Sequence, residues 1–381
     1  MRSPAASLLV AAIACAGCGT AARLFRQPPG ERGEVPVLRV RWQRLLTEPP
    51  ILEYKPFEFA SAAASPERVF VGSHGGWFYA LRRDDGALSW RKRIAGGVSG
   101  RPLYLADTGT VYVGGNDGVL YALVAATGAE RWTYKAKGPV TGTPVFDEGT
   151  IYVTTGENRV YAIDAGSGAW RWQYDREAPE TFTIRGVSSP LLYGGRAYVG
   201  FADGYLAALN ARTGDAVWAR SLAGDAQRFV DVDATPTVVD GVLYAASYAG
   251  GVYALDPADG SVKWHFPVEG AATVRADGGR VWFAATHAGL HCLDRDGHLV
   301  WRQALAEAGE LSAPVLLDGA LGRYLLASAS EAGTYVVDAA SGRLLQFFSP
   351  GHGVTAPATT DGGDVYLLTN GGWFYDLAVA M

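Results

Sequence analysis

Seven segments of this 381-residue chain align on one another. They are "GGWFYALRRDDGALSW" (75–90), "DGVLYALVAATGAERW" (117–132), "ENRVYAIDAGSGAWRW" (157–172), "DGYLAALNARTGDAVW" (203–218), "AGGVYALDPADGSVKW" (249–264), "HAGLHCLDRDGHLVW" (287–301) and "AGTYVVDAASGRLLQF" (332–347). An eighth, "GGWFYDLAVAM", runs to the last residue. The marker aromatics, from Trp90 to Phe347, recur every 37 to 46 residues. A period of that size means that one supersecondary unit, unable to bury its apolar surface alone, is stacked many times over. This constraint overrides the usual expectation that so long a chain splits into several domains.

Each unit reads as four strands. The first follows a proline, as in "TPTVV"; the second is of the type "GVLYAAS"; the third is of the type "GVYALD"; the fourth carries the tryptophan. A "DG" or "TG" pair joins the third and fourth, with glycine supplying the positive φ that a tight hairpin turn needs. Continuous apolar runs such as Val252, Tyr253, Ala254 and Leu255 suit sheets buried on both faces. The expected fold is therefore all-β: an eight-bladed β-propeller of four-stranded antiparallel blades. The eighth unit lacks a fourth strand, and "LRVRWQRLL" (38–46) has the composition to supply it. Trp42 is thus expected to complete the last blade, and the N-terminal strand to close the ring and remove an open sheet edge. The marker tryptophans are expected to pack between blades. Asp85, Asp259 and Asp296 read as turn formers.

Before the propeller, residues 1–17 read as an export signal. Arg2 precedes an apolar run, "AASLLVAAIA", too short to span a bilayer. The run ends in "CAGC", a lipoprotein-type box that would make Cys18 the lipidated first residue of the mature chain. Residues 18–37, with Pro28, Pro29, Gly30 and Pro36 among charges, read as a flexible tether to the propeller of 38–381. A net charge of −5 argues against a nucleic-acid partner. Cys292 stands alone in an apolar strand, so stability must come from the core and not from disulfides. The histidines His74, His265, His287, His291, His298 and His352 show no metal-ligand spacing, and neither a metal site nor a cofactor is expected.

The repeat is broken in one place. Between blades lies a hinge with an apolar residue, a small polar residue and then a proline. The polar residue is Ser99, Thr141, Ser188, Ser312 or Thr355 in five copies, but Asp233 in "RFVDVDATPTV", with Asp231 two positions before it. Short polar side chains at such hinges are expected to bond nearby backbone. From marker tryptophan to hinge residue is nine positions for Trp90 and Trp132, but 16 for Trp172 and 15 for Trp218. The two longest connections are therefore expected at neighbouring blades and on one face of the disc. Long loops on a rigid scaffold are where binding resides. The first loop offers Phe182, Ile184 and Arg185; the second offers Arg228, Phe229, Asp231 and Asp233. Apolar side chains beside an arginine and two carboxylates have the composition of an interaction hot spot. An Arg185 pair with Asp231 or Asp233 that ties the loops together is compatible with that.

The lipobox, the eight marked blades and "RFVDVDATPTVVDGVLYAASYAGGVYALD" together resemble the BamB family, lipoprotein propellers of the outer-membrane β-barrel assembly machinery. In that family a Leu-x-Leu-Arg loop and an Asp-Val-Asp segment contribute to binding the periplasmic domains of BamA. The resemblance places those roles at Phe182, Ile184, Arg185, Asp231 and Asp233, with Phe182 and Ile184 departing from leucine. It implies a non-catalytic scaffold, anchored by lipid at Cys18 to the periplasmic face of the outer membrane, with a BamA-like partner. Unfolded outer-membrane proteins are a further possible partner, by addition of their strands to open sheet edges. Two alternatives remain at this point: a pyrroloquinoline-quinone dehydrogenase, whose fold shares the repeat, and a ligand-binding or sensor propeller of the cell envelope. The dehydrogenase would need a hard cation on oxygen ligands and a carboxylate beside the quinone. The sixth unit departs from the pattern by lacking the Thr-Pro lead-in, reading "AATVRADGG".

Overall fold

A computed structural model describes residues 25–26, 37–48, 57–177, 187–226, 228–286, 288–305, 309–319 and 322–379. The described residues form eight antiparallel sheets and no helix. Blade 1 consists of Ala63–Ala64, Arg68–Gly72, Trp77–Arg82 and Leu88–Arg93. Blades 2 to 7 span 103–135, 145–175, 191–221, 237–266, 271–303 and 315–348. Blade 8 takes Thr359–Asp361, Asp364–Leu368 and Trp373–Val379 from the C-terminal end, and Leu38–Leu45 as its fourth strand. Trp42 pairs with Asp376 in that closing ladder. The eight-bladed fold and its closure by the N-terminal strand are as the repeat implies.

The second and third strands of each blade are almost wholly buried, whereas the fourth alternates between exposed and covered residues. This gradient follows from blades stacking face to face around a ring, with the fourth strand outermost. The marker tryptophans form the ring's repeating joint. Each of the seven, from Trp42 to Trp301, donates its indole N–H to a carbonyl in the third-to-fourth-strand turn of the next blade, at 2.8–3.2 Å. The ring lies flat on that turn's glycine. At Gly214, where φ is +80°, a Cβ would stand 2.7 Å from the Trp172 indole. Glycine is required there twice over, for the left-handed backbone and for the close approach.

Blade 7 departs from the alignment. The sequence pattern puts Phe347 at the marker position. The register instead places Gln346 opposite Val336, where the other blades set tryptophan opposite Ala80, Ala122, Ala162, Ala208, Ala254, Cys292 or Asp376. The reason lies in the next blade. Blade 8 has no third-to-fourth turn, because its outer strand comes from the other end of the chain. Gln346 faces the start of that strand, accepting from Leu38 N–H at 2.7 Å and donating to Leu38 C=O at 3.1 Å. A bifunctional amide satisfies the two backbone groups that a turn would otherwise have paired.

A charged cluster seals the other side of blade 8. Arg41 and Arg83 both reach Asp364, at 2.7 and 2.9 Å. Asp376 is fully buried, 3.8 Å from Arg41, and its carboxylate accepts no hydrogen bond. Within the segment expected to be a free tether, Phe25–Arg26 pairs antiparallel with Phe348 and Phe347 of blade 7, and Val37 is already buried in the core. The tether is therefore held at a point along its length.

Candidate interaction face

In an antiparallel blade the second-to-third turns and the blade-to-blade connections share one face of the disc. The hinge residues meet there. Ser99, Thr141, Ser188, Asp233 and Thr355 all line one cavity of about 690 Å³ at the centre of the ring. The Thr141 hydroxyl is buried without a partner, and the other hinge hydroxyls are spent locally. Ser188 and Ser312 donate to the carbonyls of Ser189 and Ala313. Ser99 accepts from Asn116, and Thr355 donates to Asn370. Hinges of successive blades are also laced together, Thr143 N–H to Ser189 Oγ and Ser189 N–H to Thr235 Oγ1. The expected bonding to nearby backbone holds for Ser188 and Ser312, whereas Ser99 and Thr355 bond to asparagines on adjacent turns.

The backbone of the specialised hinge is the ordinary one. Val232 N–H donates to Phe201 C=O, and Asp231 C=O accepts from Tyr248 N–H. Val98 and Gly97 make the same bonds to Ser73 and Asn116 in an undecorated copy. Only the side chains differ. Asp231 is 1% exposed, so it lies inside the joint and not on the surface. Asp233 is half-buried in the cavity wall. Burial, and then the neighbouring Asp231, push its carboxyl up to about 6. The outward groups of this loop are Arg228 and Phe229, both exposed. Phe229 has φ +52° and sits 6.3 Å from the Tyr248 ring, centroid to centroid. A bulky residue in the left-handed region is held there against its own preference.

The root of the preceding loop is equally fixed. Arg176 forms an ion pair with Asp203 at 2.5 Å and covers the Tyr205 ring at 4.4 Å, while Asn158 accepts from Ala202 N–H at 3.0 Å. Phe182, Ile184 and Arg185 lie outside the described residues, as does Cys18, so the expected Arg185 pairing has no geometry here. His287 also lies outside them. His291 stacks on Phe283 in the core at 4.8 Å, and burial lowers its imidazole to about 4. Among the described residues no group of three or more His, Cys, Asp or Glu side chains is placed to hold a metal.

The sequence comparison missed one feature. The connection from blade 8 to blade 1, residues 46–62, is longer than either of the two taken as longest. The tryptophan-to-hinge spacing of the repeats does not reveal it, because Trp42 lies at the far end of the chain from the rest of its blade. It carries Phe57 and Phe59, exposed by 37% and 39% and stacked at 6.0 Å. Phe59 also lines the central cavity, as does Asp233. This face therefore presents aromatic groups on both sides of the ring.

Comparison with known proteins places this geometry in context. The family model described as outer membrane protein assembly factor BamB matches residues 74–297 and 249–345. The chain is 30% identical over 207 residues to an outer membrane protein assembly factor BamB of Legionella pneumophila, covering 52% of this chain and 53% of that protein. It is 35% identical over 145 residues to that of Alkalilimnicola ehrlichii, covering 36% and 38%. The chain thus spans about half the length, or less, of these curated relatives. The crystal structure of BamB from Moraxella catarrhalis superposes with a TM-score of 0.73 at 25% identity, over 83% of this chain and 95% of that one. A quinohemoprotein alcohol dehydrogenase from Pseudomonas putida superposes at 0.64 with 15% identity, over 90% and 76%, a likeness of fold alone.

Proposed function

Because this chain belongs to the BamB family, we propose that it is a non-catalytic scaffold of outer-membrane protein assembly that docks to a BamA-like protein through the hinge face. The observation that carries this reading is Phe229. It is exposed, held at positive φ, and set beside Arg228 on a loop whose two ends are bonded to the turns of blades 4 and 5. A pre-positioned aromatic beside an arginine offers contact area at small ordering cost. The buried Asp231 and half-buried Asp233 act within this scheme by shaping the loop, while Arg228, Phe229, Phe182, Ile184 and Arg185 supply contacts. Lipidation at Cys18 would hold the propeller at the periplasmic face of the outer membrane.

The test is capture of purified periplasmic domains of the BamA-like protein by the full chain. Phe229→Ala and Arg185→Ala should each weaken capture by about 2 kcal/mol or more if they are hot-spot residues. As a truncation of an exposed side chain, Phe229→Ala should leave stability within about 0.5 kcal/mol. Undiminished capture by the Arg185→Glu, Phe229→Ala double variant, with unchanged melting, would show that the partner sits elsewhere.

A further inference from the structure

Blade 6 is the unit without a Thr-Pro lead-in, and its innermost strand, Ala271–Asp277, carries an arginine where no other blade has a charge. Arg275 lies opposite Trp282. The residue at that register position is Leu103, Val145, Leu191 or Thr237 in blades 2 to 5, and alanine, leucine and threonine in blades 1, 7 and 8. Trp282 fixes the equivalence, because its indole donates to Ala339 C=O across the blade joint as the Tyr112 and Tyr152 hydroxyls do to Ala165 and Ala211.

A second arginine interrupts the lacing of the hinges. Arg101 precedes Pro102, where blades 3 to 5 set Thr143, Ser189 and Thr235 before their prolines. Its Nε donates to Ala62 C=O at 3.0 Å. Ser99, two residues before it, lines the central cavity.

Blades 2 and 6 are four apart in a ring of eight, so their innermost strands face each other across the axis. Both arginines are exposed. Yet burial by the surrounding protein holds both guanidiniums below the usual arginine range, and the charge of Arg275 lowers Arg101 further. A side chain that touches water and is still penalised for its charge looks into an enclosed, water-filled space. Two such side chains from opposite blades, each on an innermost strand or its lead-in, meet in the central channel. Among the described residues Arg275 makes no hydrogen bond or ion pair. The carboxylate that acts on Arg101 is Asp361, and it is paired with Arg83 at 2.5 Å. The space between the two guanidiniums therefore carries an uncompensated positive field.

We propose that Arg101 and Arg275 form an anion site in the central channel, deeper than the hinge residues, for a doubly charged oxyanion of the phosphate type. Guanidinium forks take phosphate oxygens in pairs, and a dianion neutralises both cations at once. The ligand enters through the hinge-face cavity and meets one fork from blade 2 and one from blade 6. Charges that repel across an empty channel then hold one ligand between them. The site stands apart from the scaffold reading, since neither arginine lies on the loops of blades 4 and 5.

Calorimetric titration of the full chain with inorganic phosphate tests this, at pH 8 in chloride buffer of fixed ionic strength, with glycerol 3-phosphate and acetate in parallel. We expect saturable binding of one phosphate per chain. Acetate, with a single charge, should bind at least about tenfold more weakly. Glycerol 3-phosphate binding as tightly as phosphate would assign the site to phosphate monoesters, and weaker binding would assign it to the free ion. Arg275→Leu and Arg101→Thr each restore a residue that sister blades carry, and each should weaken phosphate binding about tenfold or more. Phosphate should raise the melting temperature of wild type and leave that of Arg275→Leu unmoved. An equal rise in both would be the general effect of an excluded salt and would overturn the proposal. So would binding by Arg275→Leu within about twofold of wild type, or no saturation of wild type by about 10 mM phosphate. Arg275→Leu removes an uncompensated charge and should melt no lower than wild type in phosphate-free buffer, so it decides the matter even if Arg101→Thr unfolds.

Discussion

Asp376→Ala should make the closing blade more stable at neutral pH, and the gain should appear only as the pH rises. Asp376 faces Trp42 at a register position filled by alanine in blades 1 to 5, so the smaller side chain fits a site the repeat has already built. The wild-type carboxylate is fully buried and accepts no hydrogen bond. Burial, and then the nearby Asp364, raise its pKa to about 6, against the opposing pull of Arg41 and Arg83. A raised folded-state pKa means that the neutral acid is the form the fold tolerates. Its contribution is fully present below the unfolded value near 3.8 and is lost as pH rises through about 6. A shift of that size corresponds to about 3 kcal/mol. Chemical denaturation of both proteins from pH 4 to pH 8 measures it. The difference in unfolding free energy, variant minus wild type, should climb by about 2–3 kcal/mol between pH 4 and pH 7 and then level off. A difference that stays flat over that range would refute the reasoning, because alanine removes the titrating group and leaves the rest of the seam in place.

Gln346→Leu should cost about 2–4 kcal/mol, because it strips partners from both the N–H and the C=O of the buried Leu38; urea unfolding would detect it, and a loss under about 0.5 kcal/mol would count against the amide as the substitute for the missing turn. Cys292 is fully buried, and burial pushes its thiol up to about 12, so iodoacetamide at pH 8 should label it only after unfolding.

The sequence alone determined the number and kind of blades. Each repeat buries its own second and third strands and needs its neighbour for the rest, so a period read from tryptophan and glycine fixes the ring. Closure through Trp42 was legible for the same reason, since a fourth strand missing at one end of the chain reappears at the other. The sequence also marked the hinge where Asp replaces Ser or Thr. Tertiary structure decided which way those carboxylates point, because the hinge's backbone bonds to the two adjacent turns swing Asp231 into the joint and leave Phe229 outside. Gln346 was illegible in an alignment of repeats, since its purpose exists only where two ends of the chain meet. The same holds for the pairing of residues 25–26 with blade 7 and for the long 46–62 connection. All three depend on contacts between segments some three hundred residues apart, or on a blade assembled from both ends, and a pattern read along the chain carries no distance across it.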